Sequence, residues 1–356
     1  MCYAAGSMKL GAVPENLFDL LLLRTNLAPR PMLDTHLAML LARAVLEGSR
    51  LGLFTALADG ALPAGEAAAR CGTDPAATRK LLDALAGAGY LRREGDRYAL
   101  EPVARKWLTP GSAHSMHDMM LWQLRVWDQI AGTGEYIRTG RPVDFHATLE
   151  PESWGAYQRA MRDMARTLVP EVARRTPLPR GARNLLDIGG SHGLFSAALC
   201  RRHPGLRAVI LDLPEAVEEA APLLAAEGLG DRVVHRAGDA LKDDLGAESW
   251  DVVFIASLVH HFDEATNREL ARQAARALRP GGVYVIQDFV RPHSPGDAGQ
   301  IGALLDLYFA VTSEAGTWSF EEMADWQREA GLAPKKPVRF VTSPGTGQQA
   351  AVKPSI

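Results

Sequence analysis

Cysteine is scarce in this chain: Cys2, Cys71 and Cys200 are scattered and form no CxxC pair. That argues against a disulfide framework or a zinc–thiolate site and suits a reducing cytoplasm. Long apolar runs are lacking as well. Leu17–Leu23 and Leu37–Leu46 are interrupted by Asp19 and Arg43, neither reaches a spanning length, and no signal-peptide pattern precedes them. A cytoplasmic protein without a membrane partner is expected. Charge of one sign is also in short supply, since the net charge is −3 and offers no bulk attraction to nucleic acid. No internal repeat or low-complexity segment breaks the chain. What remains is a 356-residue sequence with 47% apolar and 23% charged residues, ordinary for a globular protein with room for two cores.

The stretch Asn184–Gly193, NLLDIGGSHG, organises the rest. Leu185, Leu186 and Ile188 surround Asp187 in a run short enough for a buried strand, and LFSAALCRRHP follows with helical spacing. Strand, glycine turn and helix form the first half of a βαβ unit, where backbone can approach a ligand closely. A dinucleotide fingerprint does not fit, because Ser191 and Leu194 fill its second and third glycine slots. The spacing present is Gly189, Gly190 and Gly193 after Asp187. It resembles motif I of class I S-adenosylmethionine-dependent methyltransferases, in which the turn holds the amino-acid end of the cofactor.

Residues 1 to about 12 read as a loose leader. From Pro14 to Leu57 apolar residues recur at helical spacing, and such apolar helices need a partner surface, for which a second copy is suited. Thr73 or Asp74 can cap a helix that starts at Pro75, Gly89 can end it, and Arg92–Leu100 reads as a hairpin around Glu94-Gly95-Asp96. Helix, turn, helix, hairpin is a winged-helix arrangement, which serves DNA binding or dimerisation. The first 110 residues hold thirteen basic and eleven acidic residues, and the second helix offers only Arg79 and Lys80 opposed by Asp83. That is a poor footprint for DNA. Residues 111–170 form a bridging helical region rich in Met, Trp and His. Met119, Met120, Trp122 and Trp127 are either helix core or, for a subset, lining for a flat aromatic substrate. His114, His117 and Asp118 lack a convincing third metal ligand, so no metal is expected.

From Leu185 onward strands and helices alternate, which predicts a doubly wound, largely parallel sheet, with a helix in SFEEMADWQREAG and two short strands in PVRFVT and QQAAVKP. Ligands sit at the carboxyl ends of such strands. Those ends supply Asp187, Gly189 and Gly190 after the first, Asp212 and Leu213 after the second, and Gly238, Asp239 and Ala240 after the third. Asp212 can accept ribose hydroxyls, and Asp239 can meet an adenine amino group beside Ala240 and Leu241. The fourth strand runs into Ser257 and His260, and the fifth ends at Asp288. Methyl transfer needs proximity, alignment and a way to deprotonate the acceptor. His260 suits that task, with Asp288 to orient its ring; His261 reads as a packed or solvent-facing neighbour.

The order of these segments, with LDLPEAVEEA, LVHHFDEATNRELARQAARALRPGG and the YxxxM of Tyr157–Met161, resembles the caffeic-acid and hydroxyindole type O-methyltransferases, including bacterial relatives that decorate secondary metabolites. The resemblance covers the chain from about Pro31. It implies a Rossmann-like α/β methyltransferase domain (residues 171–356) preceded by a winged-helix dimerisation domain (1–110). The cofactor would be S-adenosylmethionine, converted to S-adenosylhomocysteine, and the acceptor a hydroxyl, phenolic in the first instance, of an aromatic small molecule. It implies His260 as general base, Asp288 as its support and Ser257 as a cofactor contact. Trp122, Tyr157, Met161, Met164 and Phe309 are the pocket candidates, and a homodimer is expected. The chain departs from the pattern at Ser191 and His192 in the glycine turn and at His261 after the base. It also has Thr317-Trp318-Ser319 where the family commonly carries Glu-Arg-Thr, so the second flanking acid is missing unless Glu314 reaches back. Other chemistry on a cofactor-binding relative, or a winged-helix regulator, are the rival readings.

Overall fold

The computed structural model describes residues 9–143, 149–291, 295–313, 315–343 and 345–355, with the side chains of 295–299 excepted. The chain divides into two compact units, Leu10–Arg125 and Val126–Ile356.

The N-terminal unit begins with the helix Leu17–Arg24, capped by Asn16. The helical expectation for Pro14–Leu57 is corrected in one respect: the chain breaks after Arg24 and again at Gly52, which adopts φ +74°, between the helices Ala38–Arg50 and Leu53–Ala56. A left-handed glycine cannot continue a helix, and its lack of Cβ makes it the natural breaker. Next come strand β1 (Leu62–Pro63), the helices Ala64–Cys71 and Pro75–Gly87, and the hairpin of β2 (Leu91–Glu94) and β3 (Arg97–Leu100). β1 pairs with β3 to complete a three-stranded sheet in the order β1-β3-β2. Asp74, rather than Thr73, caps the second helix by accepting from Ala77 N–H at 2.8 Å. Phe54, Leu57, Leu82, Leu85, Leu91 and Tyr98 make the buried core of this unit, and Tyr98 O–H donates to Asp83 at 2.6 Å.

The second unit carries the eight-stranded sheet. Its strands are β4 (Asn184–Ile188), β5 (Arg207–Asp212), β6 (Val233–Ala237), β7 (Trp250–Ala256), β8 (Leu278–Phe289), β9 (Ala333–Pro334), β10 (Val338–Arg339) and β11 (Thr346–Val352). Their order is β10-β11-β8-β7-β4-β5-β6, with β9 also paired to β11. The pairs from β6 to β8 are parallel, whereas β11 runs antiparallel to β8. A parallel sheet is covered on both faces, and consecutive residues therefore face opposite cores. Leu186, Ile188, Val253 and Ile255 pack with Leu270, Ala274 and Trp326 on one side. Leu185, Val252 and Phe254 pack with Leu168, Val172 and Leu199 on the other. The helices Glu264–Ala277 and Phe320–Glu329 cover the first face, and Trp154–Arg175 and Leu194–Arg202 the second. After β6 the chain crosses back to put β7 on the far side of β4. That reversal opens a crevice at the carboxyl ends of β4 and β7.

Candidate functional site

The crevice is shaped first by glycines. Gly189 has φ +65°, and a Cβ there would come within 2.8 Å of Leu258 in the loop after β7. At Gly190 a Cβ would lie 2.5 Å from the Asp187 carboxylate, and at Gly193 2.7 Å from both Ile210 and Leu224. No side chain fits at these positions, so the turn stays tight and its backbone open to a ligand.

The carboxylates follow in strand order but play different local parts. Asp187 is buried beneath the turn, where Ser196 O–H donates to it at 2.6 Å. Its other oxygen has no partner among the described residues. Burial pushes its pKa up to about 7, and the nearby Asp212 adds to the rise. Asp212, at the end of β5, accepts from Ser191 N–H at 2.7 Å and from Leu213 N–H at 2.8 Å. Burial raises its pKa despite those two bonds. Asp239 is more open. It accepts from Leu241 N–H at 2.9 Å and pairs with Lys242 at 2.8 Å, and the lysine holds its carboxyl below the usual range. Gly238 leaves room for the Asp243 carboxylate, which accepts from Asp239 N–H at 2.9 Å and would lie 2.3 Å from a Cβ at Gly238. Ala240 is partly buried against the core, whereas Leu213 and Leu241 are exposed on neighbouring strand-end loops. Ser257, in the left-handed region at φ +53°, donates its N–H to Gln287 O at 2.8 Å.

The second cluster lies where β7 and β8 end. His260 sits in the short turn Val259–His261, and its Nδ1 is 2.7 Å from Asp288 Oδ1 with both side chains buried. That oxygen also accepts from Phe289 N–H at 2.7 Å, which fixes the carboxylate. Among the described residues the other ring nitrogen, Nε2, has no hydrogen-bond partner. Phe309 lies against the imidazole with ring centres 4.0 Å apart, and Phe289 against Phe309 at 4.9 Å. His261 is partly buried, lies tilted against His260 with ring centres 4.0 Å apart and bonds Ser313 at 3.0 Å.

Of the other pocket candidates, Tyr157, Met161 and Met164 are partly buried on the helix Trp154–Arg175. Burial raises the Tyr157 hydroxyl pKa, and the neighbouring Tyr308 and Asp212 add to it, so this tyrosine lies within the electrostatic reach of the crevice. Trp122 is buried in the N-terminal unit, with the Arg125 guanidinium 5.7 Å from its ring centre.

The structure also answers the departures near the last helix. Thr317 donates its N–H (3.2 Å) and its hydroxyl to Asp306. Trp318 donates its indole N–H to Val259 O at 3.0 Å. Ser319 caps the helix Phe320–Glu329 in a capping box with Glu322. Asp306 therefore stands one turn before Phe309 on its helix, a carboxylate that sequence reading missed because its spacing to Thr317 spans a turn of undetermined path. Glu314 lies outside the described residues. His192 is packed against Phe195 and accepts from Leu194 N–H at 3.1 Å, and burial holds its pKa down at about 3. No group of three or more His, Cys, Asp or Glu side chains is placed to hold a metal ion among the described residues. Nor is any helix of these residues long and apolar enough to cross a membrane.

A doubly wound sheet with a glycine turn at its switch point and carboxylates at successive strand ends defines a Rossmann-like methyltransferase domain. Residues 122–333 match the O-methyltransferase domain and residues 35–110 the O-methyltransferase dimerisation domain. The chain belongs to the O-methyltransferase family and is an S-adenosylmethionine-dependent O-methyltransferase. It is 29% identical to the 3-hydroxy-5-methyl-1-naphthoate 3-O-methyltransferase of Streptomyces sahachiroi, over 85% of this chain and 89% of that one. It is 28% identical to an N,N-dimethyltransferase of Streptomyces rimosus, over 93% and 99%. The fold is similar to that of human N-acetylserotonin methyltransferase solved with S-adenosylmethionine (TM-score 0.81, 18% identity, 97% of this chain and 100% of that one). The residues fit that cofactor: the turn cannot hold a Cβ at Gly190, Asp187 keeps an unpartnered buried oxygen, and the two exposed leucines offer apolar surface for a purine.

Proposed function

We propose that this enzyme methylates a hydroxyl, phenolic in the first instance, of an aromatic small molecule of secondary metabolism, with His260 as general base. The observation that carries this reading is the buried His260–Asp288 pair, at 2.7 Å, with Nε2 left unbonded beside Phe309. Bound S-adenosylmethionine supplies a methyl group on a positively charged sulfur. Asp212 would accept from the ribose hydroxyls and Asp239 from the adenine amino group. Leu213, Gly238 and Ala240 would frame the ring, and Asp187, Gly189, Gly190 and Ser257 would line the amino-acid end. His260 Nε2 takes the acceptor proton, while Asp288 fixes the tautomer by accepting from Nδ1–H and stabilises the imidazolium that forms. Tyr157, Met161, Met164 and Phe309 form the apolar wall that aligns a flat acceptor. A cytoplasmic homodimer through the N-terminal domain completes the reading. The naphthoate O-methyltransferase named above supports an aromatic acceptor, and the N,N-dimethyltransferase makes amines the necessary comparison.

The test is S-adenosylhomocysteine release on a panel of phenols and aryl amines. His260→Ala should lower kcat on a phenol by about 10²–10⁴-fold with S-adenosylmethionine affinity held within about twofold. An unchanged rate would sink the base assignment, and turnover confined to amines would sink the hydroxyl acceptor.

A further inference from the structure

The glycine turn spends most of its own donors on itself. Gly189 N–H donates to Leu211 O at 2.8 Å and Gly193 N–H to Gly190 O at 2.9 Å. Ser191 N–H is taken by Asp212 and Leu194 N–H by His192. A carboxylate held in such a turn normally draws on these groups. Here four of them are taken, which leaves room for a side-chain donor beside the N–H groups of Gly190 and His192.

Gln158 is placed to supply that donor. It lies on the helix Trp154–Arg175, is 1% exposed, and its Oε1 accepts from the Ser191 hydroxyl. Its amide nitrogen makes no hydrogen bond among the described residues and is not one of the fully enclosed unpartnered atoms, so it keeps an opening to its surroundings. An amide nitrogen that is unbonded yet still reached from outside is open to donate to a ligand that arrives. Ser191 is itself anomalous, a non-glycine residue at φ +51° in a position where glycine would be relaxed. Its N–H, hydroxyl and carbonyl are all engaged, the last by His235 Nε2 at 2.8 Å. The serine thus ties the turn to β5, β6 and the pocket helix together, and its hydroxyl fixes which way the Gln158 amide points.

We propose that Gln158 is a binding residue for the methyl donor, its Nε2 donating to the carboxylate of the amino-acid end, with Ser191 as the positioning residue that orients it. The proposal rests on the cofactor reading above and extends it to Ser191 in the glycine turn and to Gln158 on the helix beside it.

The experiment is calorimetric titration with two probes, S-adenosylhomocysteine and 5′-methylthioadenosine, which shares the nucleoside but has no carboxylate. Gln158→Glu keeps an acceptor for Ser191 and sets a negative charge where the donor stood. Its Kd for S-adenosylhomocysteine should rise at least about tenfold, and that of Gln158→Leu about threefold or more, with 5′-methylthioadenosine within about twofold for both. Ser191→Gly, whose backbone suits φ +51°, keeps the fold and should weaken S-adenosylhomocysteine selectively by about threefold. Equal affinities in all variants, or parallel loss of both probes, would overturn the proposal. A wild-type protein that binds neither probe would instead overturn the cofactor reading beneath it.

Discussion

Asp187 and His192 lie five positions apart in the glycine turn and respond to burial in opposite directions. Asp187 has a folded pKa near 7 against an ordinary 3.8, so the folded state binds the extra proton between those values and stability falls as pH rises through them. His192 has a folded pKa near 3 against 6.5, so the unfolded state binds the extra proton there and stability falls as pH drops below 6.5. Over the shared window, about pH 4 to 6.5, the two slopes oppose each other, each at most about 1.4 kcal/mol per pH unit. Asp187→Asn removes one of them. Its stability, measured by urea denaturation at pH 4.5 and 6.5, should therefore rise with pH more steeply than that of the wild type. Equal slopes would show that Asp187 ionises normally in the fold.

At the scale of elements, the position of the base is set by a turn rather than a strand. The Val259–His261 turn is held by its first carbonyl, Val259 O, which accepts from Asn267 at 2.9 Å and from Trp318 at 3.0 Å. Trp318 is in turn packed edge-on against Trp326, with ring centres 5.0 Å apart. Trp318→Phe keeps most of the packing and removes the donor, at a cost of about 1 kcal/mol. Its kcat should fall with cofactor affinity unchanged, as read by steady-state kinetics beside calorimetry; a selective loss of cofactor affinity would refute this. The glycine turn is the other sensitive element. Gly193→Ala adds a methyl group 2.7 Å from Ile210 and Leu224 at φ +73° and should cost about 1–3 kcal/mol. A melting temperature equal to wild type would contradict that geometry.

At the scale of the whole molecule, the N-terminal unit leaves Leu17, Phe18, Leu21 and Leu40 more than half exposed. Apolar surface of that extent is unusual unless a partner covers it; the following segment, 35–110, matches a dimerisation domain, so a second copy is the partner to test. Sedimentation should give a dimer, and Leu21→Asp with Leu40→Asp should shift it toward monomer, lowering stability with it. A monomeric wild type would remove the homodimer from the proposed function. Both domains were legible for the same reason: their periodicities are strong and their turn residues specific. β4, β5 and β7 read as continuous apolar runs because parallel strands are buried on both faces. The hairpin at Arg92–Leu100 needed only its local glycine.

By itself the sequence determined what is local or repeated in strand order: the winged helix, the doubly wound sheet, the succession Asp187, Asp212, Asp239, and the candidacy of His260 and Asp288. A strand end states its own place on the rim. Contacts between segments distant in the chain were decided only by the tertiary structure. Gln158 meets Ser191 across 33 positions, Trp318 meets Val259 across 59, and Thr317 meets Asp306 around a turn. No periodicity encodes those meetings, because each depends on how a helix closes over the sheet, and packing of the two cores settles that.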